Sequence, residues 1–303
     1  MNFYMYGGCE IHDTIPALQK SMPQHNFIQQ GATTLGSMYS KHGRIAEATF
    51  EWYNHPKFAR HTIKPARQIY REIVAKDHLK SIKEDGIIKK DSWIIISFVL
   101  EAEARMIKDG EHITLIKQLV DKPGNNIARR MQFPLEHLAT INDPTNTVMW
   151  DDPFVGEQYW AGKGDWLARF ADELKDMFDN RVIMLFTPPA RQWRSKEHGV
   201  YHQLPTQGQY SNAYWKKKTG EYWETYSWQK VVKGYKGIYN GFKRWAPFKP
   251  RSINVPWQKL IGDDEHYMGK SPYHYDEGSV LNISKYIEDE IKEIEHEQRK
   301  LEV

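Results

Sequence analysis

The sequence predicts an α/β protein, with helices on both faces of a mainly parallel central sheet in a three-layer α/β/α arrangement. Two observations carry this expectation. Residues 92–99 (SWIIISFV) and 181–187 (RVIMLFT) are mostly apolar runs rich in β-branched and aromatic residues, the pattern of strands buried on both faces. Around them lie segments with apolar residues at helical spacing, and strands that alternate with helices pair in parallel through crossover connections.

The elements follow in chain order. Residues 2–6 (NFYMY) form a short buried strand that Gly7 and Gly8 end. Residues 65–82 open on Pro65, carry Ala66, Ile69, Tyr70, Ile73 and Val74 on one helical face, and stop before Gly86. The strand at 92–99 comes next. Trp166, Leu167, Phe170, Leu174, Met177 and Phe178 mark another helix, and the strand at 181–187 is ended by Pro188 and Pro189. Ile283, Ile287, Ile291, Ile294 and Leu301 form the stripe of a last helix, with Glu288–Lys292 and Glu295–Arg299 as supporting pairs four residues apart. Two stretches, 11–60 and 190–256, show no such pattern. The chain, 1–303, is expected to be one domain, with 190–256 an insertion or subdomain.

Length and composition narrow the classes. The chain has 303 residues, enough for a large core, and one cysteine, which excludes an internal disulfide and fits a reducing, cytoplasmic setting. The first residues lack the basic and long apolar regions of a secretory leader. The longest apolar run, 93–100, contains Ser97 and is far short of the ~18 residues of a membrane span, so no transmembrane segment is expected, while peripheral contact stays open. The net charge of +3 alone argues for no partner.

Its distribution is more telling. Residues 214–251 hold ten Lys or Arg against two Glu, with aromatic rings interleaved throughout. Such a segment suits an anionic, ring-containing ligand, or a solvated basic face with aromatics packed beneath it. It matches no sequence-specific nucleic-acid module, and nucleic acid is the weakest of the expected partners.

The chemistry-bearing residues lie near the two ends. Cys9 follows Gly7-Gly8 at the end of the first strand, where glycines permit close approach to the backbone and turn N–H groups favour a thiolate and a developing oxyanion. The competing reading is a buried cysteine acting as a small hydrophobe. A nucleophilic thiol needs a base, and residues 263–276 supply His266 and His274 in a loop shaped by Gly269 and Pro272, just before the last helix. His12, Asp13, His274 and Asp276 also admit a metal reading, but no HxxxH or HExxH spacing supports it, and neither a metal nor another cofactor is expected.

Taken together, Gly7-Gly8-Cys9-Glu10-Ile11-His12-Asp13 and the closing His266-Tyr-Met-Gly269-Lys-Ser-Pro272-Tyr273-His274-Tyr275 resemble the SGNH (GDSL-type) hydrolase superfamily. More specifically they resemble an SGNH-like family found with bacterial capsule and teichoic-acid genes, whose members open with Gly-Ser-Cys-x-x-Arg-Asp and close with His-x-x-Gly-x-x-Pro-Phe-His-Tyr. The resemblance implies a flavodoxin-like sheet, Cys9 at the place of the nucleophilic serine and His274 at the place of the base. Gly8, Gly36 and Asn126 (or Asn125) are expected at the oxyanion and substrate, with Glu101 and His266 nearby. Glu101 is the one polar residue kept from the family's Asp-x-x-Asp-Glu-Arg after the strand at 92–99.

The departures are specific. Gly8 replaces the family's serine, and Ser271 stands where an aspartate orients the histidine, leaving that role to Asp13, Asp276, Asp263 or Asp264. The expected function is ester hydrolysis or O-acyl transfer on a cell-surface polysaccharide or its precursor, the latter with an activated acyl donor. The alternative is a catalytically degenerate scaffold that binds glycan or teichoic-acid intermediates.

Overall fold

The computed structural model describes residues 1–31, 39, 92–99, 105–109, 112–115, 147–149, 164–197, 199–202, 228–266 and 273–301. The helix expected at 65–82 lies outside these residues.

A five-stranded sheet forms the centre. It contains β1 (Asn2–Gly7), β2 (Asn26–Gly31), β3 (Ser92–Ile96), and two later strands, Val182–Phe186 and Arg251–Asn254. Three short strands intervene as an antiparallel sheet: β4 (Arg105–Asp109), β5 (His112–Leu115) and β6 (Thr147–Met149). The later central strands are therefore β7 and β10, separated by β8 (Gln192–Ser195) and β9 (Gly199–His202). With β11 (Ile261–Asp263) these last two make a second small sheet.

Every pairing in the central sheet is parallel, and the spatial order is β2-β1-β3-β7-β10. Numbering only its own strands, that is 2-1-3-4-5, the doubly wound order in which the chain reverses direction between the first and third strands. β1 and β3 therefore flank the crevice where such sheets bind ligands.

Helices cover both faces. On one lie α3 (Gly164–Phe178) and α4 (Trp228–Trp245), counted after the short α1 (Cys9–His12) and α2 (Ile15–Ser21). Tyr4 and Tyr6 of β1 point to this side, their rings 5.7 and 5.5 Å from Phe178 and Phe170 of α3. The alternate residue Phe3 faces the opposite side, where it stacks on Phe27 and meets His25 edge-on. His25 Nε2 lies 3.0 Å from Glu295 of the last helix, α5 (Glu277–Leu301), which fixes α5 to that second face. Ile283, Ile287, Ile291 and Ile294 of α5 are fully buried as expected, whereas Leu301 projects into solvent. Glu288 and Lys292 pair at 3.8 Å, but Arg299 Nε donates to the Glu295 backbone carbonyl instead, because the Glu295 carboxylate faces His25.

The expected insertion at 190–256 is corrected in its second half. α4 buries Val232, Tyr235, Ile238, Tyr239 and Phe242, and packs against α3 and β7, while β10 completes the central sheet. Residues 228–254 are thus part of the main fold. Lysines on the outer positions of α4 mask the apolar stripe when the segment is read by composition. Residues 203–227 lie outside the described set.

Candidate active site

The first turn after β1 is shaped by contact, not only by flexibility. A Cβ added to Gly7 would stand 2.5 Å from Ile11 Cγ2 and 3.1 Å from Ser97 Cβ, so a side chain there would collide with the fully buried Ile11. A Cβ on Gly8 would stand 2.6 Å from Glu10 Oε2. The two glycines let Glu10 fold back beneath the turn. Gly8 N–H donates to Glu10 Oε1 at 3.1 Å, so the N–H expected at an oxyanion is engaged by a side chain of its own turn.

Glu10 is 1% exposed, and its Oε2 has no hydrogen-bond partner. Burial is the main influence on its carboxyl and pushes it above the usual carboxylate range, opposed first by the Ser97 hydroxyl and then by backbone N–H groups. Ser97, whose N–H donates to Tyr6 O at 2.8 Å, closes β3 beside it. From α4, Tyr239 O–H donates to Leu185 O at 2.6 Å and its oxygen accepts the Phe98 N–H at 3.1 Å, while Tyr235 and Tyr239 hydroxyls lie 2.9 Å apart. Burial raises both phenols above the ordinary range. A buried polar network thereby underlies the Gly7-Gly8-Cys9 turn.

Cys9 opens α1 and is half-buried. The register of that helix is held by Asp13 N–H donating to Cys9 O at 2.9 Å and by His12, whose Nε2 lies 3.1 Å from both Met5 O of β1 and Gln30 O of β2. Gln29 Nε2 is 3.2 Å from the His12 Nδ1, so the other side of the ring also contacts β2. His12 is a clamp between two strands.

The C-terminal loop reaches this turn. Asp13 Oδ2 lies 3.1 Å from His266 Nε2, and the His266 ring stacks on that of His274 with centroids 4.2 Å apart. His274 is buried, and its backbone carbonyl accepts the Asp263 N–H at 2.8 Å. Tyr275 O–H donates to Pro188 O at the end of β7, and the Tyr273 ring packs edge-on to Tyr235. Three expected site residues, Asp13, His266 and His274, therefore stand together one helical turn after Cys9.

The carboxylate roles differ from expectation. Asp13 faces His266. Asp276 serves as the N-cap of α5: its Oδ1 accepts both the N–H and the hydroxyl of Ser279 at 2.9 and 2.6 Å, and its Oδ2 takes Arg194 Nε at 2.7 Å. Both oxygens are committed to framework contacts. Asp263 Oδ1 accepts the Glu265 N–H, and Asp264 N–H donates to Arg194 O. Gly36, Glu101, Asn125 and Asn126 lie outside the described residues, as does Ser271. Among the described residues no group of three or more His, Cys, Asp or Glu side chains is placed to hold a metal ion, and no helix is long and apolar enough to cross a membrane.

Sequence reasoning missed Glu10 and the tyrosine pair of α4. The available signal was Ser97, a hydroxyl inside an otherwise apolar strand, which needs a buried polar neighbour. The chain matches no family model and no curated protein.

Proposed function

We propose that the protein carries out acyl chemistry, with Cys9 as nucleophile and His274 as base. His274 takes the thiol proton, the thiolate adds to an ester carbonyl, and backbone N–H groups of the turn after Gly8 hold the oxyanion. Collapse expels the alcohol, which receives the proton from His274. Water or a sugar hydroxyl then cleaves the thioester and restores the thiol, giving hydrolysis or O-acyl transfer. The substrate class, a cell-surface polysaccharide or its precursor in the cytoplasm, follows from the SGNH resemblance, as does the activated acyl donor that a transferase would use.

The observation that carries this reading is the Asp13–His266–His274 chain, which ties the base's loop to the helix that begins with Cys9. The strand order β2-β1-β3-β7-β10 supports the SGNH-type reading of the fold. A specific feature favours the second reading, a degenerate glycan-binding scaffold: Gly8 N–H is already taken by Glu10.

The pH dependence of Cys9 alkylation by iodoacetamide separates the two. For the catalytic reading, the midpoint falls well below the ordinary thiol value of about 8.5 and rises in His274→Ala. Slow alkylation with the same midpoint in both proteins assigns Cys9 to the framework and leaves the binding scaffold.

A further inference from the structure

A cavity of about 220 Å³ lies between α4 and the edge strand β10. Its floor is made by residues that share one face of adjacent strands: Met184 pairs in register with Ser252, and Phe186 with Asn254. Its wall is α4, which contributes Lys236, Tyr239, Asn240 and Lys243. These positions are three, four and seven residues apart, so they lie along one helical stripe, with the two lysines ~10 Å apart along the axis.

The lining has a distinct chemistry. Among the described residues that line it none is acidic. The Lys236 ammonium is 5.6 Å above the Phe186 ring and so leans over the floor. Ser252 Oγ is buried without a hydrogen-bond partner, and a buried hydroxyl left without one is costly unless a ligand or water supplies it. The nearby cation that could have neutralised an anion elsewhere is already occupied: Arg251 Nε and guanidinium nitrogens pair with Glu290, Glu293 and Glu297 of α5. The excess positive charge facing this groove is thus carried by Lys236 and Lys243.

We propose that this groove binds a sugar phosphate. The two ammonium groups serve as point-charge partners for the phosphate. Asn240, Asn254 and Ser252 carry donors and acceptors suited to vicinal hydroxyls, and Phe186 offers an apolar surface to the carbon face of a sugar ring. The groove lies on the α4 side of the sheet, as does the Glu10 network, and Tyr239 belongs to both. At ~4.8 Å per strand, β10 is roughly 14 Å from β1. The inference stands apart from the chemistry of Cys9, although it places a glycan-like ligand on the same face as the Glu10 network.

Isothermal titration calorimetry of the full chain with glucose 1-phosphate, glucose and inorganic phosphate tests it. Glucose 1-phosphate is expected to bind at least about tenfold more tightly than either of the other two, and the Lys236→Ala/Lys243→Ala double variant to lose about tenfold or more in its affinity. Both lysines are exposed, so the variant should keep the parent's thermal midpoint and its Cys9 alkylation profile. In Asn254→Ala the advantage over inorganic phosphate should shrink. Absence of binding, equal affinity in parent and double variant, or phosphate binding as tightly as the sugar phosphate would each overturn the proposal. None of these results bears on whether Cys9 is activated.

Discussion

Asp13 and His266, 253 positions apart in the chain, meet at 3.1 Å, and through them the turn after Cys9 is joined to the loop that carries His274. The contact is largely shielded, with the imidazole 7% and the carboxylate 22% exposed. A hydrogen bond in such a place contributes about 0.5–1.5 kcal/mol. A double-mutant cycle of Asp13→Ala and His266→Ala, read by denaturant unfolding, is expected to return a coupling of that size. Additive losses would show that the two side chains do not act as a pair.

Glu10 makes stability depend on pH in a definite direction. Its carboxyl titrates higher in the folded chain than in the unfolded chain, so the native state holds more protons over the interval between the two values. The contribution is fully present below the unfolded value of about 4.5 and is lost as pH rises through the folded one. Glu10→Gln keeps the shape and an acceptor oxygen for the Gly8 N–H without the ionisation. Melting temperatures taken from pH 4 to pH 8, a range chosen to bracket ordinary and raised carboxyl values, should fall less steeply in the variant. Parallel slopes would mean that Glu10 ionises freely.

Asp276 is a capping residue on this geometry, and its removal should act through α5. Asp276→Ala loses both Ser279 contacts and the Arg194 pair, for a cost of about 1–3 kcal/mol. Arg194→Ala should cost less, since that side chain is 54% exposed and a surface pair contributes little. Chemical denaturation of the two variants gives the order. The reverse order would indicate that the cap is dispensable.

Gly7→Ala forces a methyl group against Ile11 Cγ2, and Ile11 is fully buried. The expected destabilisation is about 1–3 kcal/mol, the range for an overpacked core. Gly8→Ala meets the end of the Glu10 side chain instead, and a carboxyl group moves more readily than a buried isoleucine branch. Unfolding curves should rank Gly7→Ala as the more damaging change; equal midpoints would show that the turn relaxes.

Much of the architecture was legible because buried parallel strands announce themselves. Residues 92–99 and 181–187 read as central strands from their apolar runs alone, and both lie in the middle of the sheet as β3 and β7. β10 was not legible: Arg251-Ser-Ile-Asn254 is short and half polar because it forms an edge, where one side of the strand faces solvent and the Arg251 side chain reaches three glutamates. α4 was hidden for a related reason. Its lysines sit outside and its aromatic residues inside, so composition gives a basic aromatic tract while the three- and four-residue spacing of Tyr235, Ile238, Tyr239 and Phe242 gives a packed helix. At the candidate site, the residue types at both ends were readable, but their partners were not. Which carboxylate meets which histidine depends on how a loop and a helix end approach in space, and no spacing along the chain encodes it.

The separation of the site's two halves also governs when it exists. β1 lies second in a five-strand order, between strands that follow it in the chain, and its turn is completed by a loop more than 250 positions later. Contacts of that range are formed late in folding, because the closure of long loops precedes any gain from them. During synthesis from the N-terminal end, the thiol emerges long before the histidines that would surround it. A chain arrested after β7 would hold Cys9 without Asp13's partner, and the candidate site is assembled only once the loop that carries His266 and His274, just ahead of α5, has been made.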